Sequence, residues 1–360
     1  MIKFQQAFPE SLSFINDFLD PNSKRPKYVF GTNHEAEQIA KQVELNGFVD
    51  DLKAEKFFLD LPVIKSEELP KDALVVIVAL MRPLTIQKRL LELGVDHLHY
   101  IALMRFSPLK LEQPWFWTGF DEDFIEYKPF YEHFDAQLAD KESIKVYESI
   151  INFRLTGDLK YLKGFEDRQA NQYFESFLSL KDGENFVDIG GFDGKTAIEF
   201  VNRCPNYSKI HLFEPEKSNM TTAKEVCADV RSLFFHPIGV SDKEQVLGIK
   251  VGGSTSKIVP KGLGDYDIQL KRLDDVLKNE MVSFIKMDIE GAEQRSLKGS
   301  EHIIKAQKPK LAICVYHQGN DIRVIFDEVK KLNQSYKVYI RHYTEGVVET
   351  VMFFIPREPD

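Results

Sequence analysis

The sequence predicts an α/β protein with two parallel sheets, a smaller unit first and a larger one after it. Three observations carry that expectation. The chain has 360 residues, more than one hydrophobic core usually organises. Short β-branched strands alternate with amphipathic helices in two separate stretches, the pattern of parallel sheets covered on both faces. A glycine-rich turn, Asp188-Ile189-Gly190-Gly191-Phe192-Asp193-Gly194, joins a buried strand to a helix in the second stretch.

Helical spacing at Phe4, Phe8, Leu12, Ile15, Phe18 and Leu19 opens the chain, and Pro21 to Pro26 reads as a linker. Tyr28 to Phe30 is expected as a strand, Gly31 as a turn, Glu35 to Leu45 as a helix stopped at Asn46-Gly47, and Phe48-Val49 as a strand. Leu74 to Leu80 has the β-branched content of a buried parallel strand. Thr85 to Leu93 is an amphipathic helix ended by Gly94, and His99 to Ile101 a further short strand. These elements make a small domain over residues 1–105.

Residues 106–180 form a connection. Its aromatic residues, from Trp115 to Tyr131, are expected to pack at a domain boundary rather than to stack on a sugar. Ser143 to Leu155 and Asp167 to Leu180 read as two helices. The larger domain occupies 181–360, with strands at Phe186–Ile189, Ile210–Phe213, Leu233–His236, Val282–Met287, Leu311–Val315, Tyr336–Arg341 and Val347–Phe354. Helices are expected at Lys195–Asn202, Lys217–Ala228 and Ile322–Leu332. Short breaks between the last two strands predict a terminal hairpin.

Composition removes several function classes. With 47 basic and 56 acidic residues the net charge is −9, so a broad grip on nucleic-acid phosphates is not expected. The longest apolar run, Ala73 to Met81, is far short of the ~20 residues of a membrane helix, and the first residues lack a basic stretch followed by an apolar block, so neither a span nor export is expected. Cys204, Cys227 and Cys314 are an odd set without a C-x-x-C pair, which suggests neither a disulfide framework nor a zinc site. A cytoplasmic protein is expected.

The chemistry gathers at strand ends. A dinucleotide loop brings its backbone to a pyrophosphate through a middle glycine, where this chain places Phe192. S-adenosylmethionine has no phosphates. It needs an acceptor for its ammonium, backbone N–H groups for its carboxylate, and room at the strand's end, which Asp188, Gly190 and Gly194 supply. Glu214, before Pro215, ends the next strand at the edge where doubly wound folds bind ligands, and its carboxylate can accept from both ribose hydroxyls. The run Phe284 to Glu293 brings Asp288, Glu290 and Glu293 to the same edge, where helix capping is the structural alternative. His317 ends the following strand and is a candidate base.

Residues ~140 to 355 resemble the FkbM-type S-adenosylmethionine-dependent methyltransferases. The motifs are VDIGGFDGKT (187–196), FEP (213–215), GGSTS (252–256), KRLDDVL (271–277), FIKMDIEGAE (284–293) and VYH (315–317). The resemblance implies a Rossmann-like class I methyltransferase sheet of seven strands and O-methylation of sugars or other small hydroxylated metabolites. Asp188, Gly190, Phe192, Asp193, Gly194, Glu214, Pro215 and Asp288 are the expected cofactor residues. Tyr28 to Asp51, with Pro62 to Ile64 and Val75 to Ala79, looks like the Rossmann-type nucleotide-sugar-binding domain that precedes bacterial sugar acyltransferase repeats. Gly31, His34 and Asp50 would line that site. A scaffolding or oligomerising role is the alternative for this domain.

In the expected reaction His317 takes the acceptor proton and Asp288 orients the base or the hydroxyl. Ser254, Thr255 and Glu290 face the acceptor, with Gly252 to Ser256 as a lid. A Mg²⁺-assisted variant would use Asp288, Asn320 and Asp321. Two rivals stand beside this: a nucleotide-sugar-binding module with a vestigial methyltransferase fold, and an NAD-dependent enzyme, which Phe192 disfavours. The two resemblances together point to bacterial surface-polysaccharide or secondary-metabolite biosynthesis.

Overall fold

The computed structural model describes residue 4, residues 9–252 and residues 256–357. It divides into two compact units. The first comprises Met1–Thr118, Lys141–Gln169 and His342–Glu349, and the second Gly119–Asp140, Ala170–Arg341 and Thr350–Asp360. Among the described residues no helix is long and apolar enough to cross a membrane.

The first unit begins with α1 (Pro9–Leu19), β1 (Lys27–Phe30), α2 (His34–Ala40), β2 (Gly47–Val49), β3 (Phe57–Phe58) and β4 (Leu61–Ile64). β5 (Leu74–Ile77), α3 (Pro83–Leu93), β6 (Asp96–His99) and α4 (Tyr100–Phe106) follow. The strands order as β3-β4-β2-β1-β5-β6, parallel throughout except for the β3–β4 pair. All four residues of β5 are buried, as a central parallel strand requires. Asn33 caps α2 by accepting from the Ala36 N–H at 3.1 Å. The strand expected at His99 to Ile101 ends at His99, whose ring nitrogen accepts from the Ile101 N–H and starts α4. The helix expected to reach Leu45 stops at Ala40.

The chain then gives α5 (Phe120–Glu126) and α6 (Lys128–His133) to the second unit, and α7 (Lys141–Thr156) to the first. Trp117 lies 5.9 Å from Phe153 in the first, and Phe134 lies 4.9 Å from Phe326 in the second, centroid to centroid.

No α-helix forms over Asp167 to Leu180. Only two 3₁₀ turns appear there, Gln169–Asn171 and Ser176–Leu178. Tyr173 between them has φ +70°. The carbonyls of Ala170 and Phe174, which a helix would bond internally, accept instead from the Arg203 guanidinium at 2.9 and 3.3 Å.

The rest of the second unit starts with β7 (Asn185–Ile189), α8 (Lys195–Arg203), β8 (Lys209–Phe213), α9 (Lys217–Val226) and β9 (Leu233–His236). A separate four-stranded sheet follows, over a stretch with no strand among the sequence expectations. It contains β10 (Gly239–Val240), β11 (Gln245–Lys250), β12 (Lys257–Val259) and β13 (Tyr266–Lys271), ordered β10-β13-β11-β12. The chain continues through α10 (Leu273–Val276), β14 (Phe284–Met287), α11 (Glu293–Gly299), α12 (Glu301–Gln307), β15 (Lys310–Cys314), α13 (Asp321–Leu332), β16 (Lys337–His342) and β17 (Thr350–Ile355).

The seven-stranded sheet is ordered β16-β17-β15-β14-β7-β8-β9. Its last two strands in sequence are neighbours, as the expected hairpin requires. β9, β8, β7, β14 and β15 run parallel, and β17 runs antiparallel to β15. From β7 the chain winds outward to β8 and β9, then returns to place β14 on the other side of β7. The order therefore reverses between β7 and β14, and the crevice at their carboxyl ends is where such sheets bind ligands.

Candidate active site

The loop after β7 holds three left-handed residues: Gly190 at φ +81°, Phe192 at +45° and Gly194 at +82°. Gly190 is required twice over, because a Cβ there would also collide with the Asp288 carbonyl oxygen. The N–H groups of Gly190 and Gly191 both donate to the Phe213 carbonyl at 3.0 Å, tying the loop to the end of β8. Phe192 is 38% exposed, with its ring at the loop's surface. Asp193 accepts from the Lys195 N–H at 3.1 Å and stabilises the start of α8.

Glu214 joins the two strand ends. One carboxylate oxygen accepts from the Phe192 N–H at 3.0 Å and the other from the Glu216 N–H at 2.8 Å. Each oxygen keeps a second lone pair for a ligand hydroxyl. Burial pushes the Glu214 pKa up to about 7, against these two backbone bonds. Pro215 lies beside Gly239, where a Cβ would meet its ring at 3.7 Å.

A buried ion pair forms the floor. Asp188 and Lys286 are direct neighbours in the β7–β14 register. Lys286 Nζ is 3.1 Å from Asp188 Oδ1 and donates to the Gly190 carbonyl at 2.6 Å. Asp188 is fully buried, and its Oδ2 has no hydrogen-bond partner among the described residues. Burial raises the Asp188 pKa, with Lys286 opposing. Burial would lower that of Lys286, but Asp188 and Asp288 outweigh it and leave the ammonium above its usual value.

Asp288 and His317 stand together at the ends of β14 and β15. His317 Nε2 is 3.4 Å from Asp288 Oδ1 and 3.9 Å from Glu290 Oε2, while Nδ1 is 2.9 Å from Glu293 Oε1. That Glu293 oxygen also accepts from the Ile289 N–H at 2.8 Å, which fixes the carboxylate. Burial disfavours the imidazolium, but Glu293, Asp288 and Glu290 together raise the His317 pKa to about 10. Burial works against ionised Asp288 as well; Lys286, His317 and Tyr173 overcome it and hold the carboxyl below its usual value.

The structure thus gathers Asp288, Glu290 and His317 in one cluster, and binds Phe192 of the glycine loop to Glu214. Ser254 and Thr255 lie outside the described residues. Asn320 and Asp321 are held by Gln294, whose Nε2 donates to them at 3.2 and 3.1 Å. Asp321 is buried, which pushes its pKa up to about 7. Asp288, Glu293 and His317 bring ligand-type atoms within 4.8 Å of one another. His317 Nδ1 and Glu293 Oε1 are already hydrogen-bonded to each other at 2.9 Å, so the cluster reads as an oriented imidazole.

Three residues take roles that the sequence alone does not assign. Tyr173 donates to Asp288 Oδ2 at 2.5 Å. Glu293, one of the three carboxylates expected at this edge with helix capping as the alternative, is the partner of His317. Lys286 had a visible signal, a charge inside the buried strand FIKM. In the first unit Gly31 is explained by packing, since a Cβ there would meet Val78 at 2.6 Å. One Asp50 oxygen accepts from the N–H groups of Leu52 and Lys53, and His34 pairs with Glu112 at the surface.

Residues 188–338 match the family model described as the methyltransferase FkbM domain. The crystal structure of methyltransferase FkbM from Methylobacillus flagellatus KT aligns with a TM-score of 0.77 at 21% identity, covering 97% of this chain and 94% of that one. At that identity the likeness establishes a shared fold. An rRNA methylase from Streptococcus thermophilus aligns at a TM-score of 0.34 and 15% identity, over 50% of this chain and 93% of its own. Aeropyrum pernix fibrillarin, solved with natively bound S-adenosyl-L-methionine, aligns at 0.32 and 14%, over 49% of this chain and 67% of its own. No curated protein matches the chain significantly.

Proposed function

We propose, from the match of residues 188–338 to the methyltransferase FkbM domain model, that the chain is an S-adenosylmethionine-dependent O-methyltransferase acting on a hydroxyl of a sugar or related small metabolite. The observation that carries this reading is the Phe192 N–H to Glu214 bond of 3.0 Å. It fixes a carboxylate with spare lone pairs beside a glycine turn, at the switch point of the sheet. Two further features fit the cofactor: the Gly190 position that no side chain could occupy, and the buried Asp188 Oδ2 that lacks a donor. Glu214 would hold the ribose hydroxyls, and Asp188 and the Gly190–Gly194 loop the amino-acid end, with Phe192, Asp193 and Pro215 shaping the rim.

When bound, the cofactor supplies a methyl group on a positive sulfonium, transferred in line to the acceptor oxygen. The chain's task is to align the hydroxyl, exclude water and remove its proton. Alignment contributes at most ~7–11 kcal/mol, and a base ~10²–10⁴-fold. His317 is that base. In the free chain its three carboxylate neighbours keep it protonated. A positive charge entering beside Asp288 and Glu290 opposes that proton, because like charges disfavour each other. Loading the site therefore frees Nε2, while Glu293 holds the ring in place through Nδ1. Glu290 faces the acceptor.

The first unit supports a scaffolding role better than a nucleotide-sugar site, because Gly31 and Asp50 are both accounted for by internal contacts. Surface-polysaccharide or secondary-metabolite assembly in a bacterial cytoplasm is the setting this chemistry fits. Methyl transfer from labelled S-adenosylmethionine to a panel of sugars and nucleotide sugars tests the reading. Label should reach a hydroxyl with the wild-type chain and not with His317→Ala; equal transfer by both would remove His317 from the mechanism.

A further inference from the structure

We infer that Tyr173, outside the matched domain, is a positioning residue of this site, setting the Asp288 carboxylate so that one oxygen faces His317 and the incoming positive charge. This inference rests on the methyltransferase reading above. The Tyr173 hydroxyl donates to Asp288 Oδ2 at 2.5 Å, which leaves Oδ1 toward His317 Nε2 at 3.4 Å. Gln172 Nε2 donates to the same hydroxyl at 2.9 Å, so its hydrogen is directed at Asp288 rather than at Gln172. Cys314 Sγ lies 3.6 Å away. The ring lies under Lys286, with Nζ 5.1 Å from its centroid. Tyr173 therefore touches both the ion pair beneath the glycine loop and the carboxylate beside the base.

The backbone reinforces this. A tyrosine at φ +70° is rare and persists only where its surroundings over-determine it. Here Arg203 binds the carbonyls on either side, at Ala170 and Phe174. The Phe174 ring packs against Phe186, Phe200 and Phe284 at 6.2–6.4 Å. With both flanks held, the turn between them delivers the phenol to Asp288. The charged or titratable groups facing that carboxylate are Lys286 from β14, Cys314 and His317 from the end of β15, Asp188 from β7, and Tyr173 itself.

The test uses the full chain with S-adenosylmethionine and S-adenosylhomocysteine, titrated calorimetrically between pH 4.5 and 8. The two ligands differ by the methyl group and the sulfonium charge, so the ratio of their affinities isolates the charge contact. The wild type is expected to keep its preference for the charged ligand across the range. Without the hydroxyl that fixes Oδ2 the Asp288 carboxylate is free to turn, so in Tyr173→Phe the preference for the charged ligand should fall by about fivefold or more across the range. Homocysteine-product affinity should stay within about twofold at neutral pH. Gln172→Ala should move the ratio in the same direction by less, and serves if Tyr173→Phe folds poorly. An unchanged ratio at every pH in both variants, even with lowered stability, overturns the inference. Silence of the wild type with both ligands overturns the methyltransferase reading and this inference with it.

Discussion

His317 Nδ1 lies 2.9 Å from Glu293 Oε1 with both side chains fully buried. Such a contact fixes the ring and decides which nitrogen faces the site, here Nε2 toward Asp288. It also makes stability depend on pH in a definite direction. The folded pKa of about 10 is raised above the ordinary 6.5. The stabilisation is thus complete below pH 6.5 and is lost as pH rises through 10.

Glu293→Gln should cost roughly 3 kcal/mol at pH 7, since it removes one partner of a buried pair. Urea unfolding at pH 6, 8 and 10 checks it. The wild type should lose stability over that range and the variant distinctly less, because its imidazole titrates nearer 6.5. Parallel losses would mean that Glu293 does not hold the charge.

Cofactor binding should expel about one proton from the His317 cluster at pH 8, because both positive charges compete for the same carboxylates. Calorimetric heats in phosphate and in Tris would then differ by about the difference in buffer ionisation. Equal heats would leave His317 protonated in the loaded site, which is incompatible with its role as base.

Much of this site was legible from strand ends. The Asp188 loop, Glu214, Asp288 and His317 each close a β-rich run before a turn or helix, so a parallel sheet must bring them to one edge. Tyr173 was not legible in that way. Its segment has helical spacing, but Tyr173 and Gln172 turn toward Asp288, and Arg203 takes the backbone carbonyls that a helix would use. The sheet of β10–β13 is hard to read because β10 and β12 have only two and three residues, while the longer β11 and β13 are partly exposed and carry charges at Lys250, Asp267 and Lys271. The Lys286–Asp188 pair links positions 98 residues apart, and only the strand register aligns them.

Lys286→Met should destabilise the chain by about 3–5 kcal/mol, because it leaves Asp188 buried without its counter-charge. The double variant Asp188→Asn with Lys286→Met should recover a substantial part of that loss. Thermal unfolding of the three chains is the check, and a double variant no better than the single one would show that the pair is not the source of the cost.

Gly190→Ala should abolish cofactor binding and cost more than 3 kcal/mol, through its left-handed backbone and the collision with the Asp288 carbonyl. Gly183→Ala is the control. Its φ is +83° but nothing lies within 4 Å of the added carbon, so only the backbone penalty of about 1 kcal/mol applies. Similar melting shifts for the two would mean that Gly190 matters only for its backbone angle.

The most direct test of the account is calorimetric titration of the chain and of Glu214→Ala with S-adenosylmethionine, S-adenosylhomocysteine and NAD. The account predicts micromolar binding of the first two to the wild type, a loss of at least about tenfold in the variant, and no heat with NAD. Binding of NAD, or S-adenosylmethionine binding that survives the loss of Glu214 unchanged, would contradict it.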